Sequence, residues 1–257
     1  MKKRHLEIID ILKQKPYMTI EDLCRALDVS PATMRRDLTQ LEESGDILRI
    51  NGGAMIKPQA GGGTQPDGRG KADPYEDEKL RIAQAAASLV KEGDTIFVDA
   101  GSTNQHIADR LAGKTNITII TNSLEIAYRL NPVKEKQNLS VIICGGALGE
   151  ANPDSIVGPV AEKMISMFRA NLAFIGTSAI DIRQGITDAY LASARIKENM
   201  IENANKVYLV TDRSKFGVIN TAFVCPIEKI DHVITDLEAP AEDIRYLQNR
   251  GIAVTLV

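Results

Sequence analysis

The C-terminal two thirds of the chain contain several short polar turns whose residue types suit the binding of a phosphate or a sugar. Each turn follows an apolar run rich in β-branched residues, a pattern typical of buried strands. One further stretch, Gly185 to Asp188, is predicted to be a loop between two of these turns. The candidate ligand-binding residues are Asp99, Gly101, Ser102, Thr103, Thr121, Asn122, Ser123, Gly145, Gly146, Gly176, Thr177, Asp181, Asp188, Asp212 and Lys215.

The turn Gly101-Ser102-Thr103 gives a chemical motive for a phosphate site. It leads into a predicted helix, so its hydroxyl and backbone N–H groups stand at a helix N-terminus, where anions are favoured. The same residues are also compatible with a routine helix cap. Lys215 adds a compact cation, and Asp212 either holds that lysine in place or accepts a sugar hydroxyl. Such a pair is also common as a surface ion pair.

An open parallel sheet is needed to bring these turns together. Strand-like runs alternate with helical segments after residue 75, which predicts a mainly parallel α/β sheet. In such a sheet ligands bind at the carboxyl ends of the strands, so distant turns converge on one crevice. The glycines between 145 and 149 lack the G-x-G-x-x-G spacing of a dinucleotide site. We therefore predict a small-molecule effector and no resident cofactor.

A second kind of chemistry is predicted near the N-terminus, on a helix that starts at Ser30-Pro31. Met34, Leu38 and Leu41 fall on one face of this helix. Arginine can pair with guanine, glutamine with adenine, and hydroxyls near the helix start with phosphate, so the other face suits a DNA major groove. An ordinary solvated face is the alternative. The candidate DNA-binding residues of this helix are Ser30, Ala32, Thr33, Arg35, Arg36, Thr39 and Gln40.

The elements around this helix predict a winged helix. A first helix ends near Lys15-Pro16, and a second is capped by Thr19 with Leu23, Ala26 and Leu27 as its buried stripe. After the third helix, two short strands flank an Asn-Gly turn and form a hairpin. Arg49 and Asn51 on this wing are further candidates for DNA contact.

Composition is that of a globular protein of two unequal domains. The chain has 257 residues, of which 44% are hydrophobic and 25% charged, and its formal net charge of -3 requires any DNA contact to be local. Residues 58–74 are rich in Gly and Pro and predict a flexible linker. We expect a DNA-binding domain at 1–57 and an effector domain at 75–257.

Several protein classes are disfavoured by the sequence. No uncharged apolar run approaches the ~20 residues of a membrane helix, and the N-terminus lacks the apolar core of a signal peptide, so we expect a cytoplasmic protein with no membrane partner. Cys24, Cys144 and Cys225 are odd in number and widely spaced, which argues against disulfides and against a zinc site. No metal site is predicted.

The run SPATMRRDLTQLEESGDILRINGGA, preceded by RHLEIIDILKQ, resembles the helix-turn-helix of DeoR-family repressors, although Asn51 stands where many members have His. The turns D-x-G-S-T, T-N-S, G-T-S-A-I-D, G-I-T-D and D-R-S-K-F-G resemble the C-terminal domains of that family. The resemblance implies a Rossmann-like fold related to ribose-phosphate isomerase and a phosphorylated sugar as effector. It also implies that Ser102, Thr103 and Lys215 contact the phosphate.

The resulting hypothesis is a repressor of sugar-metabolism genes that binds double-stranded operator DNA as a dimer or tetramer and responds to a phosphorylated sugar. No catalytic residue is assigned. One alternative is a sugar-phosphate isomerase that carries the winged helix as an appendage, with Asp181 or Asp188 as the base. Another alternative uses the winged helix for protein contacts, in which case substitution of Arg35 and Arg36 would leave operator binding intact.

Overall fold

The computed structural model describes residues 3–14, 18–27, 29–43, 47–50, 53–56, 73–150 and 152–257. The chain divides into two compact units, Met1–Gln59 and Ala60–Val257. Most of the predicted linker, and Asn51 of the predicted wing, lie outside the described residues. Among the helices in the described ranges, none combines the length and the apolar composition needed to cross a lipid bilayer.

The first unit, as far as it is described, is a three-helix domain with a small antiparallel sheet. Its elements are α1 (Lys3–Gln14), β1 (Met18–Thr19), α2 (Ile20–Leu27), α3 (Pro31–Glu43), β2 (Ile47–Ile50) and β3 (Gly53–Ile56). The strand β3 lies between β1 and β2, so the predicted hairpin gains a third strand. This is the architecture of a winged helix. A two-residue strand such as β1 is too short to show a readable alternation in the sequence.

Local capping defines the starts of α2 and α3. The Thr19 hydroxyl accepts the N–H of Asp22 at 3.1 Å, and Ser30 Oγ accepts the N–H of Thr33 at 3.3 Å. Leu23 is buried on α2, but the prediction that Ala26 belongs to the buried stripe is wrong, because Ala26 is exposed. The stripe of α2 is completed by partly buried residues, namely Ile20, Cys24 and Leu27.

The described part of the second unit is a larger α/β domain. Its elements up to residue 166 are α4 (Glu76–Ser88), β4 (Thr95–Val98), α5 (Ser102–Leu111), β5 (Thr118–Thr121), α6 (Leu124–Leu130), β6 (Ser140–Ile143), β7 (Ala147–Leu148), β8 (Ile156–Val157) and α7 (Pro159–Ser166). The later elements are β9 (Ala170–Gly176), β10 (Ala179–Asp181), β11 (Gly185–Asp188), α8 (Leu191–Glu202), β12 (Ala204–Val210), β13 (Ala222–Cys225), β14 (His232–Thr235), α9 (Ala241–Asn249) and β15 (Ala253–Leu256).

Seven of these strands form one parallel sheet, in the order β15-β14-β12-β9-β4-β5-β6. From β4 the chain proceeds outward through β5 and β6, whereas from β9 it proceeds the other way through β12, β14 and β15. The strand order therefore reverses between β4 and β9. In open α/β sheets a ligand crevice forms outside the carboxyl ends of the strands at such a point. The predicted α/β fold class is confirmed.

Apolar layers cover both faces of this sheet. Successive residues of β4 alternate between them, since Phe97 belongs to one core cluster while Ile96 and Val98 belong to the other. The Phe97 side is packed by α7, α8 and α9, and the opposite side by α4, α5 and α6. Both faces are thus buried, which explains the nearly continuous apolar runs of the central strands.

A smaller antiparallel sheet, β10-β11-β13, stands apart from the parallel one. The prediction of a loop at Gly185 to Asp188 is therefore wrong, because these residues form the buried central strand β11. The sequence there is only four residues long and lacks clear alternation, so its strand character comes from pairing with β10 and β13. This sheet places Asp188 beside the carboxyl end of β9, where the candidate site lies.

Candidate functional site

The polar face of α3 is exposed, as the sequence predicts. Met34, Leu38 and Leu41 are fully buried on the opposite face. Within the polar face, Ser30 and Thr33 share a hydrogen bond between their hydroxyls at 2.9 Å. The exposed positions are Ser30, Ala32, Arg35, Arg36 and Gln40, and the half-buried ones are Thr33 and Thr39. Of the wing candidates, Arg49 lies on β2 opposite Ala54, while Asn51 lies outside the described residues.

One buried carboxylate fixes α3 against α1. The Asp37 side chain, which points away from solvent, accepts a hydrogen bond from Arg4 Nε at 2.5 Å and lies 3.4 Å from His5 Nε2. The hydrogen bond from Arg4 outweighs the opposing effect of burial and lowers the pKa of Asp37 below its ordinary value. The orientation of α3 thus depends on an ion pair that sequence reasoning did not identify.

A cavity of about 360 Å³ opens in the second unit at the carboxyl ends of β4 and β9, where the strand order reverses. Its volume lies within the range of small-molecule sites. Ten of the fifteen predicted effector residues line it: Asp99, Gly101, Ser102, Thr103, Asn122, Gly176, Thr177, Asp188, Asp212 and Lys215. The expected convergence of distant turns is therefore present in the structure.

Three of the five remaining residues are not among the residues that line this cavity and have other roles. Thr121 is fully buried and donates to the carbonyl of Val98 at 2.7 Å. Ser123 caps α6 by accepting the N–H of Ile126 at 3.0 Å. Asp181 closes the turn between β10 and β11 by accepting the N–H of Arg183 and of Gln184. Each is a polar residue whose side chain bonds to the backbone and supports the fold.

The glycine pair also lies outside the cavity lining. At Gly146 a Cβ atom would lie 2.6 Å from the carbonyl oxygen of Val157, so only glycine fits. This close approach lets β7 pair with β8. Gly146 therefore has a packing role here, and Gly145 precedes it in the same turn.

Two lysines of the cavity wall were not among the predicted residues. Lys79 on α4 and Lys197 on α8 are both buried and both line the cavity. The sequence does contain a signal for each of them. Lys79 shares the inward stripe of α4 with Ile82 and Ala83, and Lys197 shares that of α8 with Ala194. A lysine at helical spacing among buried apolar residues indicates a buried charge that requires a partner.

Lys197 has its partners inside the cavity. Its Nζ lies 2.5 Å from Asp99 Oδ2 and 3.8 Å from Asp188 Oδ2. Burial opposes the charge on Lys197, but the two carboxylates outweigh it and raise the pKa of Lys197 above its ordinary value. Asp99 Oδ2 also accepts the N–H of Gly176 at 3.3 Å. This cluster joins the ends of β4, β9 and β11 to α8.

The cavity wall also contains groups that can hold an anion. Helix α5 starts after Gly101, and no side chain caps it. The first residues of the helix, Ser102 and Thr103, line the cavity, so their backbone N–H groups are available to a bound anion. Among the described residues, no carboxylate lies within ion-pair distance of Lys215. Asp212, which was one expected partner, instead accepts the N–H of Ser214 at 3.0 Å. Its pairing with Lys215 is therefore not observed.

Comparisons with known proteins agree with this arrangement. Residues 4–59 match the DeoR-like helix-turn-helix domain, and residues 75–237 match the DeoR C terminal sensor domain. The glycerol-3-phosphate regulon repressor of Escherichia coli (strain K12) is 35% identical over 254 residues, which cover 99% of this chain and 98% of that protein. The HTH-type transcriptional regulator GolR of Listeria innocua is 34% identical over 254 residues, with the same shares covered.

Similar solved structures include ribose 5-phosphate isomerase A from Methanocaldococcus jannaschii, with 18% identity, a TM-score of 0.40 and 55% of each chain covered. RipA from Yersinia pestis shows 14% identity and a TM-score of 0.47, with 74% of this chain and 52% of that chain covered.

The two domain matches and the full-length relatives confirm the resemblance that the sequence motifs indicated. Because those relatives are named as regulators and repressors, the isomerase alternative is set aside. The chain belongs to the DeoR family, as a DNA-binding transcriptional repressor with a C-terminal DeoR sensor domain.

Proposed function

We propose that the cavity at the ends of β4 and β9 is the effector site of this repressor. The phosphate of the effector binds at the N-terminus of α5 and at Lys215, which has no carboxylate partner among the described residues. The sugar hydroxyls face the acidic side of the cavity, near Asp188 and Asp212. The observation that carries this proposal is the joining of an uncapped helix start and an available lysine in one cavity.

The charges of the cavity favour a ligand that is both anionic and rich in hydroxyl groups. Three lysines and four aspartates line it, so the wall is not uniformly basic. A purely anionic ligand would meet several carboxylates, whereas hydroxyl groups can donate hydrogen bonds to them. We therefore infer a phosphorylated sugar or polyol rather than inorganic phosphate as the physiological effector.

The exposed face of α3 is the proposed site for operator DNA. Arg35, Arg36 and Gln40 provide the donors that base edges in the major groove accept, and Ser30 and Thr33 stand at the helix start near a phosphate. The wing residues Arg49 and Asn51 are proposed to contact the same DNA, because a wing lies beside the phosphate backbone. Since operator DNA is the target, we place the protein in the cytoplasm.

We propose that the protein is a homo-oligomer, either a dimer or a tetramer. Within it, binding of the effector changes the affinity for operator DNA, and binding of operator changes the affinity for the effector. If the effector weakens operator affinity tenfold, about 1.4 kcal/mol, the operator must weaken effector affinity by the same factor. Analytical ultracentrifugation with and without operator measures the oligomeric state. Equal effector affinities in the presence and absence of operator would contradict the coupling.

The effector assignment can be tested by titration calorimetry on the full chain. The ligands are glycerol 3-phosphate and a panel of aldose and ketose phosphates, each compared with its unphosphorylated parent. We expect at least one phosphate to bind, its parent to bind far more weakly, and Lys215→Ala to reduce phosphate affinity about tenfold or more.

The matched control is Lys206→Ala, which removes an exposed lysine on β12 outside the cavity. This variant is expected to bind the phosphate like the wild type. Equal losses in both variants would point to a general effect of net charge and would contradict the assignment of Lys215. Binding of a parent sugar as tight as that of its phosphate would contradict the phosphate site itself.

A further inference from the structure

Asp73, which precedes α4, is an acidic residue in the wall of the proposed phosphate site. Its Oδ2 contacts Lys79 Nζ, and its Oδ1 accepts the N–H of Tyr75 at 2.9 Å. The Lys79 side chain is only 8% exposed, while that of Asp73 is 27% exposed. A buried ammonium is thus neutralised by a carboxylate that remains open to the cavity.

The electrostatics of Asp73 agree with this position. Burial raises its pKa, but Lys79, the N–H of Tyr75 and the positive charge of Lys215 outweigh that effect and lower the pKa of Asp73. Asp73 is therefore ionised at neutral pH. It lies in the field of two cavity lysines, and one of them, Lys215, is a proposed ligand of the effector phosphate.

The cavity contains a second Asp–Lys pair of a different kind. Asp99 and Lys197 are both almost completely buried. Lys197 also lies near the carboxylate of Asp188, and Asp99 also accepts the N–H of Gly176. A ligand could not separate them without exposing a buried charge, which is strongly unfavourable. The Asp73–Lys79 pair has a solvent-accessible carboxylate, so it can be exchanged for another anion at much lower cost.

We infer that the Asp73 carboxylate competes with the phosphate of the effector. It pairs with Lys79 when no effector is bound, and it thereby limits the affinity of the cavity for phosphate esters. This inference rests on the proposed effector site. An incoming phosphate is repelled by that carboxylate, and it can use the Lys79 ammonium as a further donor only by taking the place of Asp73. An unphosphorylated ligand meets neither effect, so Asp73 is a determinant of affinity specifically toward phosphate.

Titration calorimetry on the full chain at constant ionic strength tests the inference. The probes are inorganic phosphate and glycerol 3-phosphate, and the variants are Asp73→Asn and Asp73→Ser, which remove the charge and keep an acceptor for the N–H of Tyr75. The matched control is Asp77→Asn, which removes an exposed carboxylate in the first turn of α4. Circular dichroism confirms that each variant is folded.

We expect both Asp73 variants to bind the phosphates about tenfold more tightly than the wild type, and Asp77→Asn to bind as the wild type does. If the wild type and Asp77→Asn show no measurable phosphate binding while the Asp73 variants do bind phosphate, that result also supports the inference. Unchanged or weaker binding in both variants, with clear binding by the wild type, overturns the inference and leaves the effector site in place. If neither the wild type nor any variant binds any phosphate, while operator binding is normal, the proposed effector site itself fails and the inference falls with it.

Discussion

The two binding regions of this repressor are built in different ways. The face of α3 takes its side chains from one continuous stretch of chain, Ser30 to Gln40, which is about three helix turns long, and most of them are exposed. The proposed effector cavity is assembled from the ends of β4, β9 and β12 and from the three helices α4, α5 and α8, and several of its charges are buried. Residues of the first region can therefore change without affecting folding, whereas the charged residues of the second also support the core.

The largest expected effect is on the cavity side of this comparison. Lys197→Met leaves the buried carboxylate of Asp99 without its ammonium partner, so we expect the free energy of unfolding to fall by about 3–5 kcal/mol. Urea denaturation followed by circular dichroism measures it. The control Lys206→Met, at an exposed position of β12, should change stability by less than about 0.5 kcal/mol. Equal stability of the two variants would show that the cavity charges do not support the fold.

The next largest effect is expected on the exposed face of α3, where a substitution should change operator affinity without changing stability. Arg36→Ala removes an exposed donor of α3, and we expect specific operator affinity to fall by about 1–3 kcal/mol with unchanged stability and unchanged effector binding. Fluorescence anisotropy at a fixed salt concentration measures the affinity. Arg169→Ala, an exposed arginine of the sensor domain, is the control and should bind operator normally. Operator binding that survives loss of both Arg35 and Arg36 would favour a protein-contact role for the winged helix.

The smallest effect tests whether the DNA-binding unit also contains a charge that supports its fold. Asp37→Asn weakens the pair with Arg4, and we expect a loss of about 1.5 kcal/mol at neutral pH. The pKa of Asp37 is lowered in the folded protein, so this stabilisation is present above the ordinary value of 3.8 and is lost as the pH falls through the lower folded value.

Urea denaturation at neutral and at acidic pH measures this difference. The gap between the wild type and Asp37→Asn should narrow below the ordinary pKa of the carboxyl group. Asp22→Asn, a more exposed carboxylate on α2, is the control and should show a much smaller change. A gap that stays constant into the acidic range would assign the stabilisation to packing instead of the ion pair.

The winged helix and the turns of the α/β domain were predictable because their signals are local. The Ser30 cap and the apolar spacing of α3 each act over a few neighbouring residues. The strand-end turns at Asp99, Gly176 and Lys215 were predictable for the same reason, and parallel-sheet topology brings them together. The strand β11 was missed because four residues gain strand character only from their partners.

The sequence by itself determined the two-domain plan, the polar face of α3 and the phosphate-compatible turns, since capping, helical periodicity and strand alternation depend on residues close together in the chain. Only the tertiary structure decided which polar residues line the cavity and which ones hold the fold. Thr121, Ser123 and Asp181 bond to backbone groups, while Lys79 and Lys197 face carboxylates, one close by in the chain and one distant. A buried charge takes its role from the partner that folding places beside it, and that partner cannot be read from its own position in the chain.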